Sequence, residues 1–424
     1  MILRNGDTGA AVALLQTGLN RAGYGPLPTD GVFGPRTAAA VERFQRGHGL
    51  RADGVAGPLT ESALGPWLRG SVRHKIVRGD SLWKLAEQYG TTLSAIETAN
   101  PGLDPFDLRI GSTVTVPLGF PLVPTDIPWS SILNAYVING LLRRYPALLR
   151  KRSFGRSAWG LPLTALTMGS GRRRVLYTAA HHANEWITAP LLMKFCEDLL
   201  AAAAAGEPYY DMDAADILDR AEITLVPVVN PDGVDLVTLA RQGGEMWERA
   251  MTIASAWPEI PFPEGWKANL QGVDLNLQYP AMWEAARAVK AAQGYTFPAP
   301  RDYVGPAPLS APESLALSRL TRELRPELVL AYHTQGEVIY TGFQGVYPPG
   351  SRELAARFAA SSGYAVEEVP PDSAYAGYKD WFIQDFGRPG FTIEAGKGDN
   401  PLPIADFPEI YENNRGILVQ AALG

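Results

Sequence analysis

One segment of the chain reads Val175-Leu176-Tyr177-Thr178-Ala179-Ala180-His181-His182-Ala183-Asn184-Glu185-Trp186. Its first six residues are apolar or β-branched, which is typical of a buried strand. The strand ends in His182 and Glu185, three residues apart, at the position where α/β proteins usually build their sites. Zn²⁺ accepts imidazole and carboxylate ligands, but a single His-x-x-Glu pair is weak evidence because such pairs often arise by chance.

Three further apolar segments lie downstream, at 223–229, 328–332 and 391–395. From about residue 130 these predicted strands alternate with helical patterns. The alternation predicts an α/β domain over 130–424, in which helices flank a largely buried mixed sheet.

Two of the later strands also end in polar side chains that can do chemistry. His333 follows the strand at 328–332, and Glu394 lies near the end of the strand at 391–395. The chain has only 5 histidines, and three of them stand at the ends of two predicted strands. The pattern favours a metal site that includes His182, Glu185 and His333, whereas His181 can equally be a buried core residue.

A short repeat marks the first part of the chain. Asp30-Gly31-Val32-Phe33-Gly34-Pro35-Arg36-Thr37 recurs as Asp53-Gly54-Val55-Ala56-Gly57-Pro58-Leu59-Thr60. Each copy is a turn that leads into a helix, because Gly permits a positive φ and Pro tolerates the first helical position. The repeat predicts a three-helix domain over 1–67 with helices at 37–46, at 59–68 and at an earlier position capped by Asp7 or Thr8.

The next part predicts a β-α-α-β module over 73–117, with elements at 74–77, 81–89, 93–100 and 113–117. Either Asp80 or Ser81 can cap its first helix. Residues 118–129 are rich in proline and predict an extended linker.

Composition limits the function classes. The chain has 424 residues, a net charge of −6 and a pI near 5.5, which argues against a nucleic-acid surface. Cys196, the only cysteine, lies in an apolar helical pattern and is expected to be a buried small hydrophobe. We expect neither a signal peptide nor a membrane span, so both a cytoplasmic and a wall- or spore-associated location stay open.

The first two modules resemble wall-binding families. Residues 1–67 resemble the small peptidoglycan-binding domain through the paired Asp-Gly-Val-x-Gly-Pro-x-Thr, although a helical spacer remains an alternative. Residues 73–117 resemble a LysM module through Val77-Arg78-Gly79-Asp80-Ser81-Leu82-Trp83, Ala99-Asn100-Pro101 and the segment 110–117. The resemblance implies peptidoglycan glycan as a partner, and two linked modules raise the local concentration of an enzyme on a polymer.

The segment 130–424 resembles the zinc carboxypeptidase family. It carries the five family motifs in order: His182/Glu185, Asn230-Pro231-Asp232-Gly233, Gly272-Val273-Asp274-Leu275-Asn276, His333 and Glu394. The resemblance implies one Zn²⁺ per chain held by His182, Glu185 and His333, with Glu394 as the general base.

The same resemblance implies supporting roles for four further residues. Asp274 would orient a ligand histidine, and Asn276 would bind substrate. Lys267, in Trp266-Lys267-Ala268-Asn269, would stabilise the oxyanion in place of the family's Arg. Tyr375, in preference to Tyr378, would reach over the substrate.

One departure from the family pattern bears on specificity. Exopeptidases of the family place an Arg after Gly-Val-Asp-x-Asn to grip the free C-terminal carboxylate, and here Leu277 stands there. An internal bond therefore becomes the expected target. Segments 272–280, 332–336 and 377–383 resemble the γ-D-glutamyl-L-diamino acid endopeptidases, which cut the γ-D-Glu to diaminopimelate or lysine bond of peptidoglycan stem peptides.

Several alternatives remain open from the sequence. Lys379 could meet a substrate carboxylate or be a solvated surface lysine. The chain could be an exopeptidase that uses Arg301 or Arg388 as its anchor, an amidase that cuts the glycan-to-peptide link, or a wall-binding protein without catalytic activity.

Overall fold

The computed structural model describes residues 2–424. The N-terminal part contains the three predicted helices: α1 (Ala10–Arg21), α2 (Pro35–Gly47) and α3 (Pro58–Arg69). The predicted cap of the first helix is wrong, because α1 begins after Gly9 and no side chain caps it. Gly9 has a φ of 109°, and a Cβ there would lie 2.2 Å from the carbonyl oxygen of Leu239. The close approach of Leu239, which is far away in the sequence, therefore requires glycine at the start of this helix.

The two copies of the repeat are held in the same way by two buried glutamines. The Gln16 amide nitrogen donates to Asp30 Oδ1 at 2.9 Å, and its carbonyl accepts from the backbone of Gly31. Gln45 makes the equivalent bonds to Asp53 and Gly54. Each helix therefore carries the residue that closes the Asp-Gly turn after it, which explains why the repeat gives two equivalent structural units.

The next module contains β1 (Ser71–Lys75), α4 (Leu82–Tyr89), α5 (Leu93–Ala99) and β2 (Thr113–Pro117). The strands pair antiparallel and close a small separate core. Ser81 is the helix cap, since its side chain accepts from the backbone of Lys84. Asp80 instead accepts from Val77 N and His74, so only one of the two predicted caps is used.

Residues 118–129 contain no helix or strand, but they are packed against the rest of the protein. Leu122 and Trp129 are fully buried. The Glu197 carboxylate accepts from the backbone nitrogens of Leu122 and Val123. Arg144 donates to the carbonyl oxygens of Gly70, Leu118 and Phe120 and pairs with Glu197 at 3.4 Å. The segment is therefore a fixed joint and not a solvated spacer, while the domain boundaries stay a prediction.

The remaining chain forms an eight-stranded sheet. Its strands are β3 (Leu149–Arg156), β4 (Pro162–Met168), β5 (Arg173–Thr178), β8 (Ala221–Val226), β9 (Leu328–His333), β10 (Val338–Thr341), β11 (Ala365–Glu367) and β12 (Gly390–Glu394), besides the short separate pair β6 (Pro208–Tyr209) and β7 (Met212–Asp213). The strand order is β11-β10-β12-β9-β5-β8-β4-β3. The adjacent strands β8, β5, β9 and β12 run parallel, and antiparallel pairs on either side make the sheet mixed, as predicted.

Helices cover both faces of this sheet. They are α6 (Ser131–Arg144), α7 (Thr188–Ala205), α8 (Ala214–Arg220), α9 (Pro231–Val237), α10 (Gly244–Ala254), α11 (Trp283–Ala292), α12 (Pro312–Leu324), α13 (Ser351–Ser362), α14 (Tyr378–Phe386) and α15 (Phe407–Leu423). Cys196 is fully buried in α7, as expected. None of the helices within residues 2–424 is both long and apolar enough to cross a bilayer.

The order of the parallel strands positions the site. β5 lies between β8 and β9, and β9 lies beside β12, so the carboxyl ends of these strands meet at one edge of the sheet. His333 and Glu394 are paired directly across β9 and β12. His182 follows β5 after a turn in which Ala180 adopts a φ of 50°.

Candidate active site

Three side chains converge at this edge of the sheet. One carboxylate oxygen of Glu185 lies 2.8 Å from Nδ1 of His182, and the other lies 2.9 Å from Nδ1 of His333. The two Nδ1 atoms are 3.2 Å apart. The ligand atoms of the three residues all lie within 4.8 Å of one another, an arrangement that can hold a metal ion.

The hydrogen bond of one ring nitrogen of His182 leaves the other ring nitrogen available to bind a cation. Its Nε2 lies 3.1 Å from Asp274 Oδ1, which favours a ring with the proton on Nε2 and the lone pair on Nδ1. That lone pair would face the Glu185 carboxylate and the Nδ1 of His333. Such convergence of acceptors is unfavourable unless a proton or a metal ion lies between them, and two imidazoles plus a carboxylate are ligands that Zn²⁺ accepts.

The charges of this group also stabilise one another: they favour the ionised form of Asp274 and, when a proton stands in for a metal ion at Nδ1, the doubly protonated ring of His182. Although burial disfavours the charged ring, the Glu185 and Asp274 carboxylates raise the pKa of His182 to about 9. Burial likewise opposes ionisation of Asp274, but His182 holds the pKa of this carboxyl well below its usual range. The site is therefore a concentration of paired charges in a buried place, as functional sites often are.

Asp274 also connects the group of His182, Glu185 and His333 to the wall of the cleft that lies over it. Its oxygens accept from the backbone nitrogens of Asn276 and Asp302. Asn276 Oδ1 in turn accepts from Tyr378 N at 3.0 Å, and its amide NH₂ has no protein partner among residues 2–424. Asn276 thus lines the cleft with donors available to a ligand.

Glu394 lies at the end of β12, next to His333, and is partly open to the cleft. Burial raises the pKa of Glu394, and the neighbouring His333 works in the opposite direction. A carboxylate that holds its proton more tightly than usual is a better general base, because it can take a proton from water and return it later.

Lys267 is placed beside the same group. Its Nζ lies 3.1 Å from Glu185 Oε1. Its backbone oxygen accepts from Ala183 N, so the Lys267 segment is bonded to the turn that carries His182. Although burial works against its charge, Glu185 raises the pKa of Lys267. The structure therefore places the Lys267 ammonium in the cleft, beside the side chains that can hold a metal ion.

The two tyrosines have different environments. Tyr378 is fully buried, and its hydroxyl bonds to Thr321, so it is a core residue. Tyr375 is partly buried against a small cluster that includes Leu277 and Trp283, and it lies outside the cleft wall. His181 is also a core residue: it is fully buried, its ring stacks on His333, and neither ring nitrogen has a hydrogen-bond partner.

The cleft over this group has a volume of about 670 Å³. Leu277 lies in its wall in place of the family's arginine. Of the two alternative anchors, Arg301 lines the cleft and pairs with Asp302, whereas Arg388 donates to the carbonyl oxygens of Arg325 and Pro326 away from it.

Sequence reasoning named Lys379 but missed three other residues of the cleft wall, Thr334, Asp380 and Asn400. Thr334 and Asn400 bond to each other twice and join the segment after β9 to the chain after β12. Lys379 is only 4% exposed and pairs with Asp380, so the alternative of a solvated surface lysine is wrong. The charged neighbours Lys379-Asp380 in an apolar helix were the available signal for this pair.

Comparisons with known proteins agree with this geometry. Residues 135–416 match the zinc carboxypeptidase family, residues 8–64 a putative peptidoglycan binding domain and residues 74–117 the LysM domain. The chain belongs to the zinc carboxypeptidase family.

Two bacterial relatives are similar over most of the same region. The gamma-D-glutamyl-L-diamino acid endopeptidase 1 of Lysinibacillus sphaericus is 42% identical over 283 residues, which is 66% of this chain and 69% of the relative. The uncharacterized protein YqgT of Bacillus subtilis (strain 168) is 39% identical over 273 residues, or 64% of this chain and 71% of the relative.

Solved structures share the fold. Carboxypeptidase A from Helicoverpa armigera superposes with a TM-score of 0.54 and 19% identity, covering 71% of this chain and 75% of that one. Thrombin activatable fibrinolysis inhibitor gives a TM-score of 0.53 with 17% identity, covering 69% and 73%. The mixed sheet with its helices is therefore a carboxypeptidase fold.

Proposed function

We propose that this chain is a zinc endopeptidase that hydrolyses the γ-D-glutamyl to L-diamino acid bond of peptidoglycan stem peptides. The observation that carries the proposal is the group of His182, Glu185 and His333 with Glu394 on the adjacent strand. The 42% identity to an endopeptidase of that name supports the choice of bond.

The residues have distinct roles in this proposal. His182, Glu185 and His333 would hold one Zn²⁺, which would supply a Lewis acid for the scissile carbonyl and for the attacking water. Asp274 fixes the tautomer of His182 through its bond to Nε2. Glu394 accepts the proton of the attacking water and returns it to the leaving nitrogen.

Donors along the cleft complete the proposed mechanism. Lys267 stabilises the negative charge that develops on the carbonyl oxygen, and Asn276 binds the peptide through its amide NH₂. Tyr375 would have to leave its packing on Leu277 and Trp283 in order to cover the substrate.

Two features favour cleavage inside a wall peptide. Leu277 offers no donor for a terminal carboxylate, so an exopeptidase would lack its usual anchor. The two N-terminal domains match wall-binding families. The first is bonded to the catalytic domain through Glu61 with Tyr136 and Ala10 with Thr238, and α5 of the second packs against α6 and α7. Both would therefore keep the cleft close to polymeric peptidoglycan.

The test is cleavage of L-Ala-γ-D-Glu-meso-diaminopimelate-D-Ala by the zinc-loaded full chain, with products identified by mass. We expect L-Ala-D-Glu and diaminopimelyl-D-Ala from the wild type. Glu394→Gln should lower the rate by about 10²–10⁴-fold, because it removes the proton acceptor. Glu207→Gln, an exposed carboxylate outside the cleft, is the matched control and should leave the rate unchanged.

The alternative of a carboxypeptidase rests on Arg301, which is a cation in the cleft wall. Release of D-Ala alone would identify the enzyme as a carboxypeptidase anchored by such a cation. No cleavage of this peptide or of whole sacculi would contradict the catalytic proposal.

A further inference from the structure

The motif Asn230-Pro231-Asp232-Gly233 has no role in the proposed mechanism, although the Asn230 side chain is fully buried. The two ends of this side chain have different partners. Its Oδ1 accepts from Gly233 N at 3.1 Å and so caps the first turn of α9. This bond is local, and an asparagine is one of the residues that commonly make it. The cap therefore accounts for only one end of a buried polar side chain.

The amide NH₂ at the other end of Asn230 joins two segments of the active site. Its nitrogen lies 2.9 Å from the Ala268 carbonyl oxygen, 3.3 Å from that of His181 and 3.4 Å from that of Lys267. An amide NH₂ has two donors, so the shortest bond uses one and the two longer contacts share the other. His181 belongs to the turn after β5, whereas Lys267 and Ala268 lie in the facing segment. Asn230 therefore bonds these two segments to each other.

The glycine of the motif lies at the same contact. A Cβ added to Gly233 would lie 2.7 Å from Ala183 Cβ and 2.8 Å from the Ala268 carbonyl oxygen. Both distances are too short for a side-chain carbon, and one of the two atoms belongs to the backbone. Gly233 is not among the glycines with a positive φ, so close packing and not backbone conformation requires glycine here. Gly233 thus lets α9 touch both segments that Asn230 joins.

The two joined segments carry groups that must keep a fixed distance during the reaction. Ala183 N donates to the Lys267 carbonyl oxygen at 3.0 Å, and the Lys267 ammonium lies 3.1 Å from Glu185 Oε1. Lys267 N donates to the Pro300 carbonyl oxygen. A displacement of one segment relative to the other would move the ammonium away from the reacting carbonyl group, and a misplacement of about 1 Å can cost about 10²-fold in rate. The bonds from Asn230 oppose that displacement.

We propose that Asn230 is a positioning residue of the active site. Its amide NH₂ holds the backbone of Lys267 at a fixed distance from the turn that carries His182 and Glu185, so that the ammonium meets the carbonyl oxygen of the scissile bond. This inference rests on the proposed function, in which Lys267 stabilises the charge on that oxygen. It also explains why the motif combines a buried amide with a glycine: the amide makes the bonds, and Gly233 leaves the space for them.

The test is a double-mutant cycle on the zinc-loaded full chain, with cleavage of L-Ala-γ-D-Glu-meso-diaminopimelate-D-Ala as the measured reaction. Asn230→Ser separates the two ends of the side chain, because serine also caps helices but lacks the NH₂ group. It should lower kcat by about 10–100-fold and change KM by less than about threefold, as expected for a contact that acts in the transition state. Lys267→Met should lower kcat by itself. Adding Asn230→Ser to Lys267→Met should cost at most about twofold more, because the ammonium on which Asn230 acts is already gone.

A second measurement separates positioning of Lys267 from damage to the metal ligands. The Kd for Zn²⁺ of Asn230→Ser, from calorimetry, should stay within about threefold of the wild type, because the substituted side chain bonds to none of the three ligand side chains. The matched control is Asn139→Ser on the exposed face of α6, which should change neither kcat nor the Kd.

Gly233→Ala probes the same contact and decides the question if Asn230→Ser does not fold. It should lower kcat in the wild type and have little further effect in Lys267→Met. An equal loss of kcat with and without the Lys267 ammonium, or a loss of zinc affinity as large as the loss of kcat, would overturn the inference while the proposed function stands. A wild type that cleaves no stem peptide would overturn the proposed function, and this inference with it.

Discussion

The catalytic edge of the sheet and the joint at residues 118–129 both bury charges, but they satisfy them differently. At the joint, backbone groups surround Arg144 and Glu197: three carbonyl oxygens accept from the arginine and two amides donate to the carboxylate. At the site, side chains face one another, and His333 Nε2 has no partner. A buried charge held by backbone groups fixes the chain, whereas converging side chains with unused capacity are available to a ligand.

The largest loss of activity is expected when a proposed metal ligand is removed from the site. His333→Ala should reduce activity to background and abolish the rise in thermal stability on adding Zn²⁺, because a ligand stabilises only a fold that binds it. At 1,000-fold excess over Kd this stabilisation is about 4 kcal/mol. His48→Ala, which removes an exposed histidine of the N-terminal domain, should behave like the wild type in zinc titrations followed by calorimetry. A zinc response that persists in His333→Ala would contradict the proposed ligand set.

At the joint we expect the opposite result: a substitution should lower the stability of the fold and leave the activity unchanged. Glu197→Gln leaves Arg144 buried without its counter-charge and should lower the free energy of unfolding by about 3–5 kcal/mol. The folded fraction should keep wild-type activity on the soluble peptide. Urea denaturation measures this, with Glu222→Gln as the control for a surface ion pair worth at most about 1 kcal/mol. An equal loss of unfolding free energy in the two variants would show that the ion pair at the joint stabilises the protein no more than a surface ion pair does.

The buried carboxylate of Asp232 should make the stability of the fold depend on pH. Asp232 accepts from Ser157 and from Trp159 N, yet burial raises its pKa to about 6. Because the folded state binds the proton more tightly than the unfolded chain, this group stabilises the fold below pH 4 and loses that contribution as the pH rises to about 6. The change amounts to about 2–3 kcal/mol.

Asp232→Asn should flatten the stability profile in that window, measured by denaturation at several pH values. Asp219→Asn, on the exposed end of α8, should leave the profile as it is. An unchanged slope in Asp232→Asn would show that other groups cause it.

The smallest effect is expected where the N-terminal domain contacts the catalytic domain. Gly9→Ala places a Cβ 2.2 Å from Leu239 O at a φ of 109°, and strain of this kind costs about 1–3 kcal/mol. Hydrogen exchange should increase at the contact of Ala10 N with Thr238 O, and cleavage of the soluble peptide should not change. Gly34→Ala is the control, because a Cβ there meets open space. Exchange that is unchanged in Gly9→Ala would mean that this contact does not hold the domain.

Much of the site could be predicted from residue order alone. The strands at 328–332 and 391–395 were found within two residues of their observed bounds, because buried parallel strands are continuous apolar runs. The segment at 223–229 was predicted too long, since β8 ends at Val226 and the next residues enter the turn before α9. Helix boundaries in the N-terminal repeat followed from Gly-Pro pairs, which act locally.

What the sequence by itself determined is therefore the chemistry of the motifs and the local elements that carry them: His182, Glu185, His333 and Glu394, each at the end of a predicted strand. Only the tertiary structure decided that β5, β9 and β12 are arranged so that these side chains meet, that residues 118–129 are buried, that Tyr378 belongs to the core, and that Lys379 pairs with Asp380 in the cleft. The physical reason is range. Turns, caps and apolar periodicity depend on neighbouring residues, whereas strand order and the burial of a charge depend on contacts between residues far apart in the chain.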